Sequence, residues 1–348
     1  MREGPLKIAV LGLNDTGRLM LEAAKGLDFF AVTAVADSDA KLAGQVAQEY
    51  NCTPYDDYRQ LIIQNQLDCL FVTAPIHSCA EYLKMAIKKK FHILKAPPLA
   101  RNFSEASELV KLAQNEGVTL AVANASRFAQ SALAARGFVL QNSYGKPFLI
   151  LAAAGRPPSD TPQPKWRSDP VLAGGGAVLY DCWEIIDQIV LNFGLPQQVY
   201  CVSGSTTPDR QQRLYLTENS AIITMKFDDI LSGNLLAGIA AVASSQTKES
   251  QKWLIAQGQS TLIRCDDKSF EVADSRGQHL QQNEFNDNCL DRMKMTLENF
   301  GSHLLWPDKN PLVNSAADNL RIMAFIEAAY LSARTGMPEQ PARILKIT

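Results

Sequence analysis

Two glycines in the segment VLGLNDTGRLML, residues 10–21, have the spacing of a dinucleotide-binding turn. Gly12 directly follows an apolar run and Gly17 lies in the next helical pattern, while Asn14 stands where the fingerprint G-x-G-x-x-G has its middle glycine. Such a turn brings the backbone close to a pyrophosphate and aims a helix N-terminus at its negative charge. The Asn14 side chain takes up room, although asparagine tolerates positive φ. The segment predicts a dinucleotide site, and the alternative is that the glycines only serve packing.

An acidic residue ends the second apolar run at the position that the fingerprint requires. Asp37 lies 20 residues after Gly17. A carboxylate there suits the diol of a ribose and repels a 2′-phosphate. Ser38 and Asp39 follow, with no arginine, so the sequence favours NAD over NADP. The predicted cofactor contacts in these two segments are Gly12, Leu13, Asn14, Asp15, Thr16, Gly17, Asp37 and Ser38.

A lysine at the end of a third apolar run is a candidate proton-transfer group. Lys95 lies in ILKAPPLA, residues 93–100. A lysine whose pKa is lowered by burial can accept a proton, whereas a lysine at a strand end commonly extends its ammonium to solvent. Both interpretations are open. Pro97 and Pro98 have no backbone N–H, and an X–Pro bond in this loop could be cis.

The order of apolar runs and helical patterns predicts how these candidates are positioned. Apolar runs at 6–11, 31–36, 69–72, 92–94 and 118–123 alternate with helical patterns near 16–26, 39–49, 57–65, 78–90 and 103–116. Continuously apolar strands between helices indicate a Rossmann-type, doubly wound parallel sheet covered on both faces. We assign residues 1–123 to this α/β domain.

The pattern changes after residue 123. A helical stretch near 127–141 precedes an apolar strand at 148–154, and a glycine run opens one long helix at 174–194. From 197 to 273, apolar runs are separated only by turn residues, and helices near 285–303 and 314–335 follow. This order predicts that residues 124–348 form an α+β domain with a large, mainly antiparallel sheet.

Composition argues against several classes of function. The 348 residues carry a formal net charge of -2, which argues against nucleic acid as a partner. No apolar run reaches the ~20 residues that cross a membrane, and the first residues lack signal-peptide features. Seven cysteines without a CxxC pair and four scattered histidines predict free thiols and no metal site. We expect a cytoplasmic protein with a small-molecule substrate.

Three further segments resemble the glucose–fructose oxidoreductase / inositol dehydrogenase (Gfo/Idh/MocA) family along nearly the whole chain. They are DCLFVTAPIHSCAEYLKMAI (68–87), KWRSDPVLAGGGAVL (165–179) and LRIMAFIEAAYLSARTGMP (320–338). The resemblance implies a Rossmann domain, a second domain with an open sheet, and a cofactor cleft between them. It also implies homodimers or homotetramers built through the open sheet face. It adds as cofactor contacts Thr73, Ala74, Pro75, His77, Ala96 and Pro97, with an exposed loop histidine as the alternative for His77.

The sequence departs from the family at the positions of the family's catalytic residues. The family's E-K-P segment corresponds to Ala96-Pro97-Pro98, so Pro97 occupies the catalytic lysine position. Its D-x-G-x-H helix segment places Tyr180 at the aspartate position and Glu184 at the histidine position, and Asp187 is retained. Whether the protein is an enzyme is therefore open.

Three residues could take over proton transfer. Lys95, two residues before Pro97, would face the same side in an extended chain at roughly 6–7 Å. Tyr180, Glu184 and Asp187 have helical spacing and would share one face. Glu184 could act as a base after desolvation and Tyr180 beside a cation. The alternative is that Tyr180 packs and Glu184 pairs with an arginine.

The predicted substrate contacts are Arg127, Trp166, Arg167 and Asp187. Each arginine could instead form a structural salt bridge, and tryptophan more often packs in a core. Two functions follow. The first is an NAD-dependent oxidoreductase for a sugar-like or small carbonyl or alcohol compound, with altered proton transfer. The second is an inactive family member that binds NAD or a sugar as a regulatory or partner protein.

Overall fold

The structure, a computed structural model, describes residues 4–141, 145–155, 164–205, 216–238 and 251–346. The chain forms two compact units. The first comprises the chain up to Ala100, Ser104–Ala125 and Asn288–Asn319, and the second comprises Arg101–Phe103, Ser126–Asp287 and the chain from Leu320 on. The division predicted from the sequence placed Arg101–Phe103 in the first domain and Asn288–Asn319 in the second.

The first unit contains a parallel sheet with helices between successive strands. Its elements are β1 (Leu6–Leu11), α1 (Asp15–Lys25), β2 (Phe30–Ala36), α2 (Ala40–Tyr50), β3 (Thr53–Tyr55), α3 (Tyr58–Gln64), β4 (Cys69–Val72), α4 (Ile76–Lys88), β5 (His92–Lys95), α5 (Phe103–Asn115) and β6 (Leu120–Val122). Within the described residues the six strands have the order β3-β2-β1-β4-β5-β6, all parallel. The doubly wound fold expected from the apolar runs is confirmed. The sequence did not predict the short strand β3.

The second unit contains the larger sheet. Its elements are α6 (Gln130–Leu140), β7 (Pro147–Gly155), α7 (Pro170–Ala173), α8 (Ala177–Tyr180), α9 (Trp183–Phe193), β8 (Gln198–Gly204), β9 (Ser220–Lys226), β10 (Ser232–Gly238), β11 (Gln251–Gly258), β12 (Thr261–Asp266), β13 (Ser269–Asp274) and β14 (His279–Glu284). The helices α10 (Cys289–Leu305), α11 (Ala316–Thr335) and α12 (Pro341–Leu345) follow. In the described part of the chain this sheet has the order β14-β13-β12-β11-β7-β10-β9-β8, antiparallel except between β7 and β10.

Helix α10 returns to the first unit because its apolar face completes that unit's core. Met293, Leu297 and Phe300 follow helical spacing and are buried in the core cluster. The Phe300 ring meets Phe71 of β4 edge-on at 6.2 Å between centroids. A Cβ on Gly301 would lie 2.3 Å from the Phe29 ring, so only glycine allows this close approach.

The prediction of one long helix at 174–194 is wrong in one respect, because the structure has two helices with a break between them. Helix α8 ends at Tyr180 and α9 begins at Trp183. Cys182 donates its N–H to Ala177 O, five residues earlier, where an α-helix would use the fourth. Tyr180 is therefore outside the helix that carries Glu184 and Asp187. Helical spacing does not put the three residues on one face.

None of the helices in the described ranges combines the length and the apolar character that a membrane crossing requires.

Candidate functional site

The turn after β1 has the geometry that a pyrophosphate-binding loop needs. Gly12 has φ of +90°, and a Cβ there would lie 2.6 Å from Ala74 N. A Cβ on Gly17 would lie 2.1 Å from Gly12 O. The Thr73 hydroxyl donates to the same Gly12 carbonyl at 2.7 Å. Both glycines are therefore required by the close packing of this turn.

Asn14 serves the turn in a way that the sequence reasoning did not anticipate. Its φ is -64°, so the tolerance of asparagine for positive φ is not used. The residue is the N-cap of α1, where its Oδ1 accepts the N–H of Gly17 at 3.0 Å. Its Nδ2 donates to Thr73 O at 2.8 Å, which ties the helix start to the end of β4.

The start of α1 fits an anionic group. The side chain of Asn14 satisfies the Gly17 N–H, but no described residue accepts a hydrogen bond from the backbone N–H groups of Asn14, Asp15 and Thr16. Three donors at the positive end of a helix match a pyrophosphate. The exposed carboxylate of Asp15 in the first helical turn disfavours an anion there.

Asp37 lies directly after β2, beside this turn. Its Oδ2 accepts the N–H of Leu13 at 2.7 Å, and its Oδ1 accepts the N–H of Asp39 at 3.0 Å. The Ser38 hydroxyl lies 3.5 Å from the same Oδ1. A carboxylate can accept about four hydrogen bonds, so acceptor sites are left for ribose hydroxyls.

The segment after β4 closes the other side of the turn. The N–H groups of Thr73 and Ala74 both donate to Leu11 O, at 2.8 and 2.9 Å. Pro75 is the N-cap of α4, and His77 lies half-buried in the first turn of that helix. The expectation of a loop position for His77 is therefore wrong. The helix starts earlier because Pro75 is the last residue with extended backbone.

Lys95 is buried, so the alternative that it extends to solvent is wrong. Its Nζ donates to Ala96 O at 2.9 Å and to Pro98 O at 2.7 Å, the carbonyls on either side of Pro97. The bond between Pro97 and Pro98 is cis. Burial lowers the pKa of the Lys95 ammonium, although Cys79 and Glu105 oppose the shift. The lysine thus holds the loop together and also places an amine with a lowered pKa next to Pro97.

In the second unit, Tyr180 is fixed by its neighbours. Its hydroxyl donates to Ala173 O at 2.8 Å. The Arg167 guanidinium stacks on its ring at 3.5 Å from the centroid, and Trp166 meets the ring edge-on at 6.5 Å. The cation lies over the ring face, which is the geometry of a cation–π contact. This arrangement matches the alternative in which Tyr180 packs.

Glu184 forms an ion pair with Lys252 of β11. The expected ion pair is thus present, but its cation is a lysine and not an arginine. The Lys252 ammonium also lies 3.5 Å from Asp267 Oδ1. Burial by itself lowers the pKa of Lys252, but the carboxylates of Glu184 and Asp267 outweigh burial and raise it. A lysine with a raised pKa keeps its proton, so this pair is not tuned for proton transfer near neutral pH.

Arg127 and Asp187 form a buried, two-pronged ion pair. Arg127 Nε donates to Asp187 Oδ2 at 2.8 Å and Nη2 to Oδ1 at 2.5 Å. The two side chains are 7% and 1% exposed. This is the structural salt bridge that was the alternative to substrate binding by Arg127, and Asp187 is its partner.

The three glycines before α8 are explained by close approaches within the second unit. A Cβ on Gly175 would lie 2.1 Å from the Tyr330 hydroxyl, and a Cβ on Gly176 would lie 1.8 Å from Glu218 O. The Glu218 carboxylate accepts the N–H groups of Gly176 and Val178, both at 2.9 Å. Burial raises the pKa of the Glu218 carboxyl, although these hydrogen bonds oppose the shift. Tyr330 lies in the family-like segment 320–338 but was not predicted as a site residue, and Glu218 belongs to none of the motifs.

A pocket of about 50 Å³ lies within the second unit between α6, α9, β11 and β12. Glu184, Gln188 and Lys252 are among the residues that line it. Sequence reasoning missed the lining residues Ser131, Lys252 and Asp267, since none of them is part of a motif. No group of three or more histidine, cysteine, aspartate or glutamate residues with the placement of a metal site occurs among the described residues.

Comparisons with known proteins agree with this architecture. A family model described as "Oxidoreductase family, NAD-binding Rossmann fold" matches residues 6–124, and one described as "Oxidoreductase family, C-terminal alpha/beta domain" matches residues 137–340. Levoglucosan dehydrogenase in complex with NADH and levoglucosan has a TM-score of 0.85 at 16% identity, covering 97% of this chain and 99% of that chain. An oxidoreductase from Agrobacterium radiobacter in complex with NAD+, L-tartaric acid and magnesium has a TM-score of 0.83 at 18% identity, with the same coverage. At these identities the structures show a shared fold.

Curated relatives match over shorter stretches. A dTDP-3,4-didehydro-2,6-dideoxy-alpha-D-glucose 3-reductase of Streptomyces violaceoruber is 26% identical over 175 residues, half of each chain. An NADP+-dependent scyllo-inositol 2-dehydrogenase of Bacillus subtilis is 26% identical over 124 residues, 35% of this chain and 38% of the relative. The matches thus span half or less of these relatives. The two family models together cover both units, and the chain belongs to the Gfo/Idh/MocA family of oxidoreductases, with its NAD-binding Rossmann fold, as the sequence resemblance predicted.

Proposed function

We propose that this protein is an NAD-dependent oxidoreductase that acts on a sugar-like or small carbonyl or alcohol compound. One observation carries the proposal: three N–H donors without a partner among the described residues stand at the start of α1, beside the Asp37 carboxylate. A bound NAD supplies a nicotinamide that exchanges a hydride with the substrate carbon. The sugar and inositol compounds named for two relatives are the reason for the substrate class.

The residues around Asp37 favour NAD over NADP. Its carboxylate can accept hydrogen bonds from both ribose hydroxyls, whereas a 2′-phosphate would meet a negative charge. Ser38 and Asp39 add no cation to offset that repulsion. The scyllo-inositol dehydrogenase relative uses NADP+, so this preference needs its own test.

Lys95 is the best candidate for the proton transfer that accompanies hydride exchange. Its amine has a lowered pKa, which increases the share of the form that accepts a proton. Its Nζ lies within hydrogen-bond distance of the two carbonyls that flank Pro97, the position of the family's lysine. Tyr180 and Glu184 are weaker candidates because the phenol donates to a carbonyl and the carboxylate is paired with Lys252.

A second candidate function is binding of NAD or a sugar without turnover, in a regulatory or partner role. A specific observation favours it: of the three altered positions, Pro97 has no titratable group, and Tyr180 and Glu184 are held by neighbours. In this function Lys95 is only a structural clamp for the loop at Pro97 and Pro98.

Titration and turnover measurements on the same protein distinguish the two functions. NADH binding is measured by fluorescence titration, and sugars and polyols are screened for absorbance change at the nicotinamide band. For the oxidoreductase we expect turnover that Lys95→Ala abolishes while NADH affinity holds, and that Lys111→Ala, an exposed lysine on α5, leaves unchanged.

The other outcomes decide against the oxidoreductase. NADH binding without turnover in the wild type indicates the binding protein. Turnover that survives Lys95→Ala and is lost in Glu184→Gln assigns the proton step to Glu184 and contradicts the role of Lys95. A protein that does not bind NADH at all contradicts both functions.

We also propose that the protein is a homodimer or homotetramer formed through the large sheet. Tyr200, Val202 and Ile222 lie on β8 and β9 and are 39%, 56% and 54% exposed. Their neighbours in the strand, such as Cys201 and Ile223, are buried on the opposite face. An exposed apolar sheet face of this kind commonly marks an interface between proteins.

A further inference from the structure

The start of helix α8 is held by a carboxylate from a distant part of the chain. The N–H groups of Gly176 and Val178 donate to the side chain of Glu218, both at 2.9 Å, and the Ala177 N–H donates to the main-chain carbonyl of Glu218 at 3.0 Å. The first N–H groups of a helix have no acceptor within the helix itself. Glu218, 40 residues after Val178, supplies these acceptors for α8.

The Glu218 side chain must be ionised to make all of its contacts. Oε2 accepts the Gly176 N–H, and Oε1 accepts both the Val178 N–H and the Tyr330 hydroxyl. The Tyr330 oxygen is itself occupied, because it accepts the N–H groups of Gly176 and Leu179, both at 3.2 Å. Protonation of either carboxyl oxygen would therefore bring an O–H donor against a group that also donates.

Thr217, the residue before Glu218, is bonded to a different segment. Its N–H donates to Ser168 O at 3.1 Å, and its hydroxyl donates to Arg167 O at 3.0 Å. These two neighbouring residues therefore join the segment of Arg167 to the start of α8, the helix that ends at Tyr180.

The two joined segments carry a group of three side chains, Trp166, Arg167 and Tyr180, which we call the cation–aromatic stack. The Arg167 guanidinium lies 3.5 Å from the centroid of the Tyr180 ring and 5.6 Å from that of the Trp166 ring. A cation is attracted by a ring when it lies over the ring face. Because Tyr180 belongs to one segment and the other two residues to the other, the geometry of the stack depends on how the segments are held together.

The other titratable groups close to Glu218 are neutral near pH 7, apart from one carboxylate. They are Tyr330 of α11, Cys182 after α8 and Cys201 of β8, and burial, followed by nearby negative charge including that of Glu218, raises the pKa of all three. The carboxylate of Asp181 adds to the shift of the Cys182 pKa. Burial also raises the pKa of Glu218, although its hydrogen bonds oppose the shift. Glu218 therefore takes up its proton in mildly acid solution.

We propose that Glu218 is a positioning residue, which as a carboxylate holds the start of α8 and, together with Thr217, fixes the cation–aromatic stack. Protonation of Glu218 loosens the start of α8 and changes the geometry of the stack. The relevance of the stack to substrate binding rests on the proposed function, since Trp166 and Arg167 are predicted substrate contacts. The link from Glu218 to the stack does not rest on it.

Fluorine NMR of the full chain labelled with 5-fluorotryptophan reports on the stack without cofactor or substrate. The Trp166 resonance is assigned by its loss in Trp166→Phe. In the wild type we expect this resonance to shift as the pH is lowered from ~7.5 to ~4, with a midpoint above the usual glutamate pKa of about 4.3. Glu218→Gln cannot ionise, so its Trp166 resonance should stay near the acidic wild-type position over the same range.

Two further variants connect the titration to these contacts. Thr217→Val removes the hydroxyl that donates to Arg167 O, and we expect it to reduce the amplitude of the Trp166 shift. Glu284→Gln is the matched control, because Glu284 is exposed on β14 of the same unit, and it should keep the wild-type titration.

Kinetics extend the test to the proposed function. At neutral pH we expect Glu218→Gln to raise KM for a sugar substrate by roughly three- to tenfold, as the loss of a positioned hydrogen bond would do. The dissociation constant for NADH should stay unchanged, because the predicted NAD contacts belong to the first unit.

A Trp166 resonance that does not move over this pH range, or one that titrates in Glu218→Gln as in the wild type, would overturn the proposal. Should Glu218→Gln fail to fold, the wild-type titration and Thr217→Val decide, and an unchanged amplitude in Thr217→Val contradicts the link. The expected titration in a protein that turns over no sugar would uphold the positioning role and contradict the oxidoreductase. Turnover without the titration would do the reverse.

Discussion

At the scale of single residues, Asp37 carries the predicted choice between the two cofactors. Asp37→Asn keeps an oxygen that can accept the Leu13 N–H but removes the charge. We expect NADH affinity to fall roughly 10–100-fold, because hydrogen bonds to a charged group contribute about 1.5–3 kcal/mol. The ratio of NADH affinity to NADPH affinity is expected to fall by a larger factor than the NADH affinity itself, because the variant no longer repels the 2′-phosphate of NADPH. Fluorescence titration with both cofactors measures this.

Asp28→Asn is the control for the Asp37 variant, because Asp28 is exposed and makes no side-chain hydrogen bond within the described residues. An unchanged NADH-to-NADPH ratio in Asp37→Asn would show that Asp37 does not face the ribose.

Lys95 predicts a pH dependence of stability. Burial lowers the pKa of Lys95 below its value in the unfolded chain, so between the two pKa values the unfolded state binds more protons. The contribution of Lys95 to the free energy of unfolding therefore rises with pH across that window, by at most ~1.4 kcal/mol per pH unit. We expect the free energy of unfolding of the wild type to increase relative to that of Lys95→Met as the pH is raised towards about 10.

Urea unfolding at a series of pH values measures the Lys95 effect. Lys111→Met removes one exposed ammonium from α5 and serves as the control for the change in charge. A stability difference between wild type and Lys95→Met that stays constant with pH, or shifts toward the variant, would contradict a lowered pKa for Lys95.

At the scale of elements, the glycine run before α8 is a packing requirement. A Cβ on Gly176 would lie 1.8 Å from Glu218 O, so we expect Gly176→Ala to lower the free energy of unfolding by about 1–3 kcal/mol or more. Gly137→Ala is the matched control in α6, where a Cβ meets nothing within 4 Å. Because alanine is favoured over glycine inside a helix, this control should gain about 0.5–1 kcal/mol. Thermal or urea unfolding that ranks the two variants in the opposite order would refute this account.

At the scale of the whole molecule, the proposed oligomer depends on the exposed face of the large sheet. Ile222→Lys places a charge among Tyr200 and Val202, so we expect a shift towards monomers in light scattering after gel filtration. Ile63→Lys is a closely matched control, since Ile63 on α3 is 53% exposed and lies in the other unit. A monomeric wild type, or an oligomer that Ile222→Lys leaves intact, would contradict assembly through this face.

Much of the fold of the first unit could be predicted because its signals are local. The apolar runs at 6–11 and 69–72 coincide with β1 and β4, since a buried parallel strand is apolar at nearly every position, with the exposed Lys7 of β1 as the exception. Helix α10 could not be assigned to the first unit in this way. Its apolar stripe could pack equally well on the core of either unit. The ring that it contacts, Phe71, lies on a strand more than two hundred residues earlier in the chain.

The candidate site also contains residues with local sequence signals and residues whose partners are distant in the chain. The glycine turn and Asp37 could be located from the sequence, because glycine spacing and strand ends are properties of neighbouring residues. The contacts of Glu184 and Asp187 could not, because they depend on the tertiary fold. Their partners Lys252 and Arg127 lie 68 and 60 residues away in the chain. A charged side chain acts as a base, a clamp or a pocket wall according to the charges and burial around it, and folding alone sets those surroundings.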